Sequence, residues 1–64
     1  MTNEEILYAV GQVEGLGGMT VNERLFVSGL TYEFDQSIIN DKIKAAYILE
    51  LLQVDKASIE KILH

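Results

Sequence analysis

The chain has 64 residues, no cysteine and no proline, and ten acidic side chains against five basic ones give a formal net charge of −5. That length allows one domain, 1–64, near the lower limit for folding without staples, and the missing cysteines exclude disulfides and thiolate metal sites. The acidic balance opposes nucleic-acid phosphates, which attract clustered Lys and Arg, and favours a partner with a basic surface.

Apolar residues make up 48% of the chain, so a packed core is expected rather than disorder. No run approaches the ~18 to 20 apolar residues that span a bilayer. The N-terminal stretch carries Glu4 and Glu5 and no basic residue before Arg24, the wrong charge for a secretory or transit leader. Small secreted domains lean on disulfides, so a cytoplasmic protein without a membrane contact is expected.

Thr2 followed by Glu5 is a capping box, which starts a first helix. Ile6, Leu7, Val10 and Val13 fall on one face of it, and the helix is expected to end near Glu14. Gly11 weakens it by roughly 1 kcal/mol relative to alanine. The cluster Gly15, Gly17 and Gly18 marks the one obvious break. Thr20 and Glu23 repeat the capping box and open a second helix. Val27, Leu30, Phe34 and Ile38 follow the spacing of one packed stripe, which Leu25, Phe26 and Tyr32 widen. Gly29 falls inside this helix, where close approach of another backbone would explain it.

Asn40 and Asp41 punctuate the change to a third helix from about Lys42 to Gln53. Its run of Ile43, Ala46, Tyr47, Leu49, Leu51 and Leu52 predicts the central element of the fold. Asp55 caps a last helix through Leu63, with Val54 and Ile59 placed to form a hydrophobic staple around the cap. The expected fold is all-α, a small bundle of about four short helices with low contact order.

No residue set is built for chemistry. His64 is the only histidine, so no paired-histidine metal site exists. Ser28, Ser37 and Ser58 have no base at local spacing. Asp41 and Asp55 are explained as caps, and Glu4 and Glu5 as a favourable first turn. Gly15-Leu16-Gly17-Gly18 lacks the Lys and Thr of a phosphate loop. Catalytic residues, metals and cofactors are therefore all expected to be none, and the chain is expected not to be an enzyme.

Residues 45–63, AAYILELLQVDKASIEKIL, resemble the helix-turn-helix of bacterial DNA-binding proteins. Ile48, Leu52, Val54, Ile59 and Leu63 match its apolar positions and Asp55 its polar cap. Gln53 stands at the usual turn glycine and Leu49 at the usual alanine. A recognition helix with Lys56, Glu60 and Lys61 offers little to read base edges.

A wider resemblance runs through Asn22-Glu23-Arg24-Leu25-Phe26-Val27-Ser28-Gly29-Leu30, Glu33-Phe34-Asp35, Ile48-Leu49, Val54-Asp55, Ser58-Ile59 and Ile62-Leu63. It is similar to a group of short bacterial helical proteins with no activity to carry over to particular residues. Small acidic proteins of this kind resemble immunity proteins and antitoxins, which mask a toxin's active surface. Glu14-Gly15 is also similar to the end of the motif in antitoxins of Fic-type toxins, but Val10 occupies its hydroxyl position.

The expectation is a non-enzymatic inhibitor of a basic protein, a toxin or nuclease, acting by occlusion. Its contacts would be Tyr32, Glu33 and Asp35 at the end of the second helix with Glu14 from the loop side, because tyrosine beside carboxylates is a composition that interface hot spots favour. The alternatives are a DNA-binding regulator using residues 45–63, and a homodimer through the second helix.

Overall fold

The two threonine capping boxes form as their spacing dictates. The Thr2 Oγ1 accepts from the Glu5 amide at 3.2 Å, and the Glu5 carboxylate accepts from the Thr2 amide at 2.7 Å. Thr20 and Glu23 repeat this at 3.2 and 2.8 Å. Each pair satisfies two backbone donors that a helix start leaves without partners. Asp41 and Asp55 cap through their carboxylates, accepting from the amides of Lys44 and Ser58.

The computed structural model describes residues 1–64 as five α-helices and a short 3-10 turn. They are α1 (Asn3–Gly11), the 3-10 turn (Leu16–Gly18), α2 (Val21–Ser28), α3 (Thr31–Asn40), α4 (Lys42–Leu51) and α5 (Lys56–Leu63). The all-α class stands, and the count is five rather than four. No helix is long and apolar enough to cross a membrane.

The extra helix comes from Gly29. Its φ of +74° is left-handed, a region open to glycine at no steric cost. The amides of Gly29 and Leu30 donate back to the carbonyls of Phe26 and Leu25, both at 3.0 Å. This is the Schellman pattern that closes a helix, completed by two buried apolar side chains, Leu25 and Leu30, at the positions that usually pack together. Gly29 therefore ends α2 rather than lying inside one long helix. A Cβ built there would meet nothing within 4 Å, so the reason for glycine is its backbone angle and not a close neighbour. Two other ends fall short of expectation: α1 stops at Gly11 rather than near Glu14, and α4 at Leu51 rather than Gln53.

α4 is the central element, with α1, α3 and α5 all packed on it. Ala45, Ile48, Leu49 and Leu52 are all fully buried and fall on one helical face at three- and four-residue spacing. Ile6, Val10, Leu16, Leu25, Leu30, Phe34, Val54 and Ile59 complete the core. Five of these side chains, Ile6, Leu30, Ile48, Leu49 and Leu52, have no exposed surface to speak of, each contributing about 1.5–3 kcal/mol of burial. Both staple residues, Val54 and Ile59, belong to this core.

The Cα positions span 27 × 25 × 15 Å, a slab one core layer thick. Several residues expected in the core therefore face outward. The break at Gly29 shifts the helical phase, so Val27 and Phe26 are exposed while Leu30 and Phe34 stay inside. Ile43 precedes buried Ala45 by two residues, about 200° around the helix, and is 85% exposed. Leu7 and Tyr32 are likewise exposed rather than part of a packed stripe.

Candidate functional site

On α3, Phe34, Ser37 and Ile38 face the core. The opposite side then carries Tyr32, Asp35, Gln36 and Ile39 in the three- and four-residue steps that line one helix face. All four are exposed, with Tyr32 at 74% and Ile39 at 78%. Because Gly29 divides the two helices, Tyr32 and Asp35 lie in the first turns of α3 rather than at the end of the second helix. They thus share an outward strip with the aliphatic side chain of Ile39.

Glu33 is rolled away from that strip toward α4. Its Oε2 lies 2.9 Å from the Lys44 Nζ and 3.4 Å from the amino group of Met1, and its side chain is only 19% exposed. Lys44 also donates to the Met1 carbonyl. Hydrogen bonding from Lys44 outweighs burial and holds the Glu33 carboxyl below the usual carboxylate range, and the charges of Lys44 and the amino terminus add smaller contributions in the same direction. The group joins α3, α4 and the N-terminal residue. Glu14 sits elsewhere, exposed in the loop between α1 and the 3-10 turn, and neither ion pair of the chain involves it.

The three serine hydroxyls are each tied to a residue three or four positions earlier. Ser28 donates to the Leu25 carbonyl, Ser37 to the Glu33 carbonyl at 2.8 Å, and Ser58 to the Asp55 carboxylate at 2.7 Å. A shallow cleft between α3 and α4 is lined by polar residues, among them Glu33, Ser37 and Lys44. No three His, Cys, Asp or Glu side chains converge to hold a metal ion.

Arg24 has a structural task with no local signature in the sequence. Its Nε donates to the Met19 carbonyl at 3.0 Å, and its Nη1 to the carbonyls of Leu52 and Gln53 at 3.0 and 3.1 Å. The guanidinium thus lies at the carbonyl end of α4, where a helix leaves acceptors without partners and favours positive charge. Gln53, in the turn between α4 and α5, has a φ of +64°. That conformation is the one a turn glycine would adopt at the same position of a helix-turn-helix. Around α5 the exposed charges are Asp55, Lys56, Glu60 and Lys61, a balanced set rather than a basic face.

No protein family, curated protein or solved structure matches the chain. The site must therefore be read from its own residues. Ile39 follows from the phase of α3 alone, since it falls opposite buried Phe34 and Ser37 on that helix.

Proposed function

We propose that this chain is a non-enzymatic cytoplasmic inhibitor that binds a basic protein, of the immunity or antitoxin type, and neutralises it by occlusion. The observation that carries this reading is the outward strip of α3, where exposed Tyr32 and Ile39 flank the free carboxylate of Asp35. A ring and an aliphatic side chain supply contact area, and the carboxylate supplies charge selection. Charge distribution supports it. Residues 1–41 hold seven of the ten acidic side chains and a single basic one, Arg24, whose guanidinium is already bound to carbonyls. Electrostatic attraction then steers a cationic surface toward this part of the molecule. Glu33 contributes field at the site, while its oxygens serve the fold; Glu14 is a peripheral contact.

The test takes the product of the neighbouring gene, since toxin and neutraliser are usually encoded together. Its toxicity is measured in cells with and without this chain, and the two purified proteins are titrated against each other. The expected result is restored growth and a complex that weakens with salt and is about tenfold weaker with Tyr32→Ala. Neither rescue nor a complex would remove the reading.

The turn between α4 and α5 favours a second reading, a helix-turn-helix DNA-binding regulator using residues 45–63, because left-handed Gln53 occupies the glycine position. A gel-shift titration against salt decides it: no shift at low ionic strength eliminates DNA binding.

A further inference from the structure

Phe26 is 78% exposed and Val27 47% exposed, although Leu25 beside them is buried. Together with Met19, Asn22 and Glu23 they line one shallow groove of about 340 Å³ along the outside of α2. From Asn22 onward the residues recur at steps of one, three and four, so one side of the helix presents them, and Met19 closes the end from the preceding loop. None of the five belongs to the α3 strip or to the cluster around Glu33. The exposed ring of Phe26 and the branched side chain of Val27 thus lie side by side, with polar Asn22 and Glu23 at their edge.

Charge decides what covers it. Glu23 borders the groove, and hydrogen bonds from the Thr20 backbone and side chain keep its carboxyl ionised below the ordinary range. The one neighbouring cation, Arg24, is held by hydrogen bonds to the carbonyls of Met19, Leu52 and Gln53 and does not pair with Glu23. A second copy of the chain packed by a two-fold axis would bring like-charged Glu23 side chains and two acidic halves together. Anionic lipid and nucleic acid meet the same repulsion. A cationic protein segment satisfies both the apolar floor and the acidic rim. The groove runs along a single helix, the geometry in which a partner helix lays its apolar face.

We infer that the α2 groove docks a lysine- or arginine-flanked amphipathic helix of a partner protein, with apolar side chains over Phe26 and Val27 and a cation paired with Glu23. The inference rests on the reading of a basic protein partner and adds the element of that partner and a second face on this chain.

The test is an NMR titration of the whole isotope-labelled chain with two synthetic peptides about five turns long. One carries leucines along one face and lysines along the other; its match replaces every lysine with glutamate. The expected outcome is amide shifts centred on residues 19–27 with the lysine peptide alone, and binding about tenfold weaker in Phe26→Ser. Because Phe26 is exposed, circular dichroism of that variant should match the parent. Shifts centred on Tyr32 to Ile39 would overturn the inference, as would equal binding by Phe26→Ser or by the glutamate peptide. A concentration-dependent dimer in sedimentation that Phe26→Ser dissolves would assign the face to a second copy instead. If the lysine peptide docks on α2 but the neighbouring gene's product does not bind, the inhibitor reading alone falls. If that product is neutralised equally well by Phe26→Ser, the α2 inference alone falls.

Discussion

The turns that follow α2 and α4 use the same hydrogen-bond pattern with different residues. After α2, Gly29 and Leu30 donate to Phe26 and Leu25; after α4, Gln53 and Val54 donate to Glu50 and Leu49, all at 3.0 Å. In both, the following apolar residue is buried, Leu30 in one and Val54 in the other. The left-handed position is glycine in the first, with φ +74°, and glutamine in the second, with φ +64°. Glycine adopts that angle freely, whereas a residue with a Cβ loses roughly 1–2 kcal/mol there. What the second turn has in addition is Arg24, whose guanidinium holds the carbonyls of Leu52 and Gln53 from across the fold. One turn is thus stabilised by its own residue and the other by a contact 28 positions away in sequence.

Removing Arg24 is the most severe way to break the second turn. Arg24→Ala should lower unfolding free energy by about 2 kcal/mol, the scale of charged hydrogen bonds at a partly buried site. A domain of this length holds roughly 3–10 kcal/mol in all, so urea midpoints should show the loss plainly. Arg24→Lys should recover less than half, because an ammonium lacks the planar fork that reaches separated acceptors. Full recovery by lysine would mean that charge alone supports the turn.

Exchanging the left-handed residues should act with opposite signs. Gly29→Ala is expected to destabilise by about 1 kcal/mol, and Gln53→Gly to stabilise by about 0.5 kcal/mol after the added flexibility of the unfolded chain. Thermal or urea unfolding of both variants checks this. If Gln53→Gly also destabilises, its side chain or carbonyl position matters more than the backbone angle.

Acid should distinguish the turns most gently. Asp55 caps α5 directly after the second turn, and hydrogen bonds from the Ser58 side chain and backbone lower its carboxyl below the ordinary 3.8. A carboxyl lowered in the folded state adds stability above its ordinary pKa, and that contribution disappears as pH falls through the lowered one. Amides at the start of α5 should therefore lose exchange protection below about pH 4. The turn at Gly29 contains no such cap, and an acid step in α3 beyond it should follow the Glu33–Lys44 pair instead. Asp55→Asn keeps the cap but removes the titration, and an α5 step that persisted in it would have another origin.

Much of the fold was legible because its signals are local. Thr2 with Glu5, Thr20 with Glu23, Asp41 and Asp55 all mark helix starts within four residues, and each start lies where its cap residue places it. Helix ends were less legible. Gly29 has two meanings, a tolerated glycine in a helix or a left-handed stop, and the choice depends on whether Leu30 can reach the core beside Leu25. At the candidate site, Tyr32 and Asp35 were grouped by composition, a tyrosine beside carboxylates, while the assignments of Phe26, Val27 and Ile43 to the core failed. Their phases follow from helix boundaries and from which face α4 offers its neighbours, neither of which is written in a local pattern.

Local signals in the sequence set the class of fold, the starts of four of the five helices and the acidic character of the first 41 residues, because caps and charge act over a few neighbours or not through geometry at all. The exception is α3, whose start has no side-chain cap. Tertiary packing places Arg24 at the end of α4, pairs Glu33 with Lys44 and leaves Phe26 outside. Those outcomes require residues distant in the chain to meet, and a slab 15 Å thick has room inside for only one apolar face of each helix.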